Sequence, residues 1–329
     1  MVGEQRQQGK SGCLLYLVMA VAISFLLAYC DSKPTDKPAS SSTESSSSQT
    51  TPTHITVEPP TEEQPEESRG WELFSENGSA NVLNGTNLIV SVFVSDPDYS
   101  WQWDVNDYAD NNLAYHSLNN LSIACGWITQ EASRYGANPV FYYDWSEYPD
   151  LYYETHLSVH TTGQDTSSIY YAVAEYINTT IDSDALMRKY GAGNVVYLLF
   201  INTPSGYKIN SGSYNLNDES ALYPYEFCTM FIHEGDYELW PAAIAHEILH
   251  CYGAHDLYMV TSSAITQEYV DYQESSKTND IMRVTFDPYT GEVYYDRIVN
   301  ELSELDAYYV GLTSSSSDVD EWSLGKRGL

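Results

Sequence analysis

The chain has 329 residues, 43% of them hydrophobic, enough to bury one sizeable core and carry appendages besides. Its 46 Asp and Glu against 14 Lys and Arg leave a formal charge of −32, which argues against nucleic acid or anionic lipid as an electrostatic partner. Such an excess mainly keeps a surface solvated, and it is compatible with basic substrates.

Residues 1–12 are polar, with Arg6 and Lys10, and residues 13–30 are an almost uninterrupted apolar run. This pattern reads as a secretory signal or a membrane anchor, outside the folded part. The run ends Leu27-Ala28-Tyr29-Cys30. That ending resembles a bacterial lipobox with Cys30 as the lipidated residue, although Tyr29 stands where such sites carry a small residue. The alternative is an uncleaved anchor, with Arg6 and Lys10 held on the inner side of the membrane. Either way the bulk of the protein is expected at the cell surface. Residues 31–70 are rich in Ser, Thr, Pro and Glu, with almost nothing to bury, and read as a disordered tether.

The globular domain is expected over 71–312, with 313–329 as a loose tail. Residues 88–94 (LIVSVFV) form a β-branched run and read as a strand. A helical pattern over 112–135 closes at Gly136. Further strands are expected at 140–143 and 152–159, and helices at 168–177 and 184–190. The most apolar strand, 194–201 (NVVYLLFI), belongs at the centre of a sheet. A strand at 226–233 and a helix at 298–310 complete the series. Strands alternating with helices predict an α/β layer arrangement, a mixed sheet packed on helices.

Between the last two elements lies the stretch 244–257, IAHEILHCYGAHDL. His246 and His250 are four residues apart, so on a helix their rings share one face and can reach a single metal ion. Glu247 would then lie beside a metal-activated water, placed to take its proton. Gly253 can adopt positive φ, end the helix and turn the chain back toward the metal. Asp256 is thereby placed as a third ligand. Pro241 suits a first helical position, and the apolar residues around the histidines predict a buried helix.

The segment HEILHCYGAHD resembles the extended zinc signature of the metzincin peptidases, HExxHxxGxxH/D. The third-ligand offset falls on Asp256, as in the snapalysin-type branch; His255 is one residue early and is the competing candidate. The resemblance implies a zinc endopeptidase in which His246, His250 and Asp256 hold zinc and Glu247 is the general base. It also implies a turn carrying a methionine beneath the zinc, for which Met282 in Asn279-Asp280-Ile281-Met282 is the candidate. No tyrosine follows two residues after Met282, where the astacin pattern has one; Val284 is there. The resemblance further implies an antiparallel edge strand just before the zinc helix, which binds peptide by strand addition. The segment 226–233 is the candidate, with a covered strand as the alternative.

Two other readings stay open. A surface-binding protein could keep zinc as a structural or vestigial site, although structural sites usually fill all four positions with protein groups. Glu268, eighteen residues after His250, would be the third ligand of a thermolysin-like site. Outside the apolar run the cysteines are Cys125, Cys228 and Cys251, which permit at most one bridge. Cys125–Cys228 is one conceivable pairing, with Cys251 a buried thiol. Asp96, Asp98, Asp104, Asp107 and Asp110 cluster without the spacing of an EF-hand loop, and read as an acidic loop more readily than a calcium site.

Overall fold

A computed structural model describes residues 73–74, 76–97, 101–104, 106–161, 166–215 and 222–327. The apolar run at 13–30, the tract at 31–70 and Asp98 lie outside the described residues. Among the described residues, no helix is long and apolar enough to cross a membrane.

The domain is mixed α/β, built on one mixed sheet. Its strands are β1 (Thr86–Ser95), β2 (Val140–Tyr142), β3 (Tyr152–His156), β4 (Asn194–Ile201), β5 (Gly212–Tyr214) and β6 (Phe227–Phe231). They lie in the order β2-β1-β4-β6-β5, with β3 pairing β1 beyond β2. All pairs are parallel except β5 with β6. A hairpin of β7 (His233–Glu234) and β8 (Tyr237–Glu238) follows β6.

Every residue of β4 is buried, as expected of a parallel strand covered on both faces. Side chains alternate between two cores. Ile89, Phe93, Val196, Leu198, Phe200, Cys228 and Met230 point to one side. There they meet helices α1 (Tyr108–Ser133) and, after two helices on the other side, α4 (Pro241–Cys251). Leu88, Val90, Val92, Val195, Tyr197 and Leu199 point to the other, under α2 (Thr166–Thr180) and α3 (Ser183–Tyr190). This period of two is what the pleat dictates, and it makes the sheet a wall between separate cores.

The remaining helices are α5 (Gln267–Ser276), α6 (Glu304–Tyr309) and α7 (Ser317–Glu321). Three expectations need correction. The candidate edge strand, β6, is instead the covered strand of the alternative reading: β4 covers one side and β5 the other. The antiparallel edge strand is β5, one strand earlier in the chain, and its three residues carry no apolar run to announce it.

The helix expected over 298–310 is confined to α6, which Ser303 caps in a capping box with Asp306. The residues before it are drawn into pairing with the 279–284 turn, since Ile281 N donates to Glu301 O at 3.0 Å. Tertiary pairing there outcompetes the helical pattern.

Residues 313–327 are no loose tail. Val319 and Leu324 are buried in the core of the metal-helix side, Gly325 N donates to Ala264 O, and Arg327 reaches Asn81 O at 2.7 Å. The acidic residues near α1 serve the fold: Asp107 caps the helix, and Asp110 accepts from Asp104 N and Asn202 Nδ2.

Candidate metal centre

Helix α4 begins at Pro241, and all eleven of its residues are buried. Burying an Ile or Leu side chain is worth roughly 1.5–3 kcal/mol. Ile244, Ile248 and Leu249 therefore dictate how the helix lies against the sheet, and that orientation aims His246 and His250 into the cleft. Gly253 ends the helix at φ +100°, with Ala254 N returning to Leu249 O at 3.1 Å. This turn brings Asp256 back beneath the histidines.

The three groups converge. His246 Nε2 and His250 Nε2 are 3.1 Å apart, and Asp256 Oδ1 lies 3.4 and 3.3 Å from them. A tetrahedral ion with ligands 2.0–2.1 Å away separates those ligands by about 3.3 Å. His246 Nδ1 is 3.0 Å from Ile281 O, and His250 Nδ1 is 2.7 Å from Ala254 O. A carbonyl only accepts, so both Nδ1 atoms carry the hydrogen and both Nε2 lone pairs are left facing each other and Asp256. Asp256 Oδ1 is buried without a hydrogen-bond partner. Atoms packed this closely could hold a metal ion among them, and the donor set of two imidazoles and a carboxylate suits zinc. Among the described residues this is the one cluster of its kind.

Charge points the same way. Burial alone would raise the Asp256 carboxyl, but His250 and His246 hold it well below the usual carboxylate range. Burial would likewise lower His250, yet Asp256 and the Ala254 carbonyl raise it. Glu247, buried beside the cluster, is pushed up to about 8 by burial; His246 opposes the rise, and Asp256 and Glu234 add to it. Its Oε2 also has no hydrogen-bond partner.

Asp256, not His255, enters the cluster. The His255 ring stands edge-on to Tyr309 at 4.6 Å, and its Nδ1 meets Ser262 Oγ at 3.2 Å. Burial, with His250 nearby, pushes its pKa down to about 4, so it stays neutral. Glu268 is exposed on α5 and belongs to no cluster. Met282 is fully buried, and its carbonyl accepts from Leu257 N at 2.9 Å. The turn thus holds His246 through Ile281 and the residue after Asp256 through Met282.

The cleft above the cluster measures ≈ 770 Å³. Ser211, Gly212 and Ser213 form one wall, and residues of 254–263 form the other. Among the described residues β5 pairs only with β6.

Two features of the site go beyond the sequence reading. Tyr258 lies in the cleft with its ring 6.4 Å from that of His246, near the Asp256 carboxyl. Its position two residues after Asp256 was the available signal, because alternate residues of an extended chain point the same way. The second is a buried carboxyl pair, Asp280 and Asp306, bonded to each other beneath the 279–284 turn. No local spacing reveals it. No protein-family model matches the chain, and no curated protein matches it significantly.

Proposed function

We propose that the chain is a zinc-dependent endopeptidase of metzincin type, displayed at the cell surface by its N-terminal segment and acting on peptide laid along β5. The observation that carries this reading is the convergence of three donor atoms at 3.1–3.4 Å beside the buried Glu247 carboxyl, whose Oε2 has no hydrogen-bond partner, at the floor of a cleft.

His246, His250 and Asp256 would hold the zinc. When bound, zinc supplies Lewis acidity, polarising the scissile carbonyl and acidifying a water. Glu247 accepts the proton of the attacking water at its free carboxylate oxygen and hands it to the leaving amine. Tyr258, which lines the cleft beside His246, would donate its hydroxyl to the developing oxyanion. The backbone of β5 aligns the substrate by main-chain hydrogen bonds. A non-catalytic zinc protein would have no use for a carboxyl held unpaired beside a three-donor set.

The purified protein is expected to hold about one zinc per chain and to cleave members of a peptide library in a chelator-sensitive way. Glu247→Gln keeps the zinc and loses cleavage. A Glu247→Gln protein that cleaves like wild type would remove Glu247 as the base and the reading with it.

A further inference from the structure

Cys228 on β6 and Cys251 on α4 bring their sulfurs to 3.3 Å, and both residues are fully buried. Cys125, the third thiol among the described residues, lies on α1 in the same core but makes no sulfur contact with either. We infer that Cys228 and Cys251 form a disulfide as the chain folds in the presence of a disulfide oxidant, tying the metal-binding helix to the strand beside the cleft.

A disulfide needs its sulfurs at 2.03–2.05 Å, so closing the gap takes a combined shift of about 1.3 Å, within reach of small χ1 rotations of the two side chains. The reaction is an exchange. One cysteine thiolate attacks the oxidant R–S–S–R and releases one RSH, leaving a mixed disulfide. The second cysteine sulfur attacks that bond and releases the second RSH. The two protons lost by the cysteines end on the two RSH released, and two electrons pass to the oxidant's sulfurs. Neither sulfur is accessible in the folded domain. The bond therefore forms before the core closes, and afterwards it resists reductant.

The position of the bond gives it a consequence for the site. Cys251 directly follows the donor His250, and Cys228 is the register partner of Ser213, which lines the cleft. Cys228 Sγ also lies 3.3 Å from Glu247 O. The link thus joins the wall of the cleft to its floor within one residue of a metal donor, and it holds the distance between β5 and α4.

The test uses the full chain, unfolded in reductant and refolded in detergent with oxidised glutathione. Free thiols are then alkylated under denaturing conditions without reductant. Cleavage after glutamate separates the two cysteines, since Glu234, Glu238 and Glu247 lie between them. Mass spectrometry should find the Cys228 and Cys251 peptides joined and released by reductant, with Cys125 alkylated. The oxidised chain should unfold roughly 5–10 °C above the same chain kept reduced, and Cys228→Ser should abolish that difference. Cys228 and Cys251 both alkylated after oxidative refolding, or either one joined to Cys125, would overturn the assignment. Linkage is read without metal or substrate, so the outcome is independent of peptidase activity.

Discussion

His246 Nδ1 lies 3.0 Å from the carbonyl oxygen of Ile281, a residue 35 positions further along the chain. This contact fixes the tautomer of His246 and aims its Nε2 at the other two donors. The carbonyl is held in turn: Ile281 N donates to Glu301 O, and Met282 N donates to Asp280 Oδ1 at 2.7 Å. Helix α4 and the 279–284 turn are therefore tied together by these hydrogen bonds. Met282, fully buried, packs in the same core as Ile244, Ile248 and Leu249 of that helix.

Emptying its place in that core should loosen the site. Met282→Ala is expected to destabilise the domain by about 2–4 kcal/mol and to weaken zinc binding about 10–100-fold, because the carbonyls that orient the donors shift with the turn. Met282→Leu, which nearly preserves volume, should cost under about 1.5 kcal/mol. Urea unfolding and competition against a zinc-binding dye measure both. Equal zinc affinity in Met282→Ala and wild type would show that the turn does not govern the donors.

The neighbours Asp256 and His255 should separate cleanly. Asp256→Ala removes the carboxylate whose Oδ1 meets both imidazoles, so zinc and cleavage should be lost together. His255→Ala removes a ring packed on Tyr309 and should lower stability while leaving zinc stoichiometry near one. Metal analysis of the two purified variants decides it, and the reverse pattern would move the ligand to His255.

Tyr258→Phe keeps the ring and removes the hydroxyl. If that hydroxyl supports the oxyanion, kcat should fall on the order of 10–100-fold with KM and zinc content little changed. A change confined to KM would make Tyr258 a substrate-binding group instead.

The Asp280–Asp306 pair should leave its mark on stability as a function of pH. Burial raises both carboxyls, and the Asp280 charge raises Asp306 further. The folded state therefore keeps a proton that the unfolded chain releases above its ordinary value of about 3.9. Where the native state binds more protons, stability falls as pH rises, by at most about 1.4 kcal/mol per pH unit per proton. The pair's contribution is thus fullest below pH about 4 and declines as pH rises from there through the folded values. Asp306→Asn keeps a donor toward Asp280 without a titrating proton. Unfolding free energies at saturating zinc across pH 4–8 should fall more steeply for wild type than for Asp306→Asn. Parallel curves would show that the pair does not hold the proton.

The sequence by itself determined the parts of this protein that depend on neighbours in the chain. Continuous apolar, β-branched runs announce β1 and β4, and the helical patterns ending at Gly136 and Gly191 announce α1 and α3. The four-residue spacing of His246 and His250 and the turn at Gly253 are local geometry, so Asp256 and His255 stood out as candidates before any fold was known, and the fold brought Asp256 to the histidines. Tertiary structure alone decided the rest. The three residues of β5 become a strand only because β6 offers them hydrogen bonds. Residues 298–302 forgo a helix because the 279–284 turn competes for their backbone. Residues 313–327 are polar enough to read as a tail, yet Val319 and Leu324 find a core and Arg327 finds the Asn81 carbonyl. The sulfur beside Cys228 Sγ is that of Cys251, set there by the packing of helix on sheet. Each of these outcomes rests on contacts between residues far apart in the chain, whose energies appear only once both partners are in place.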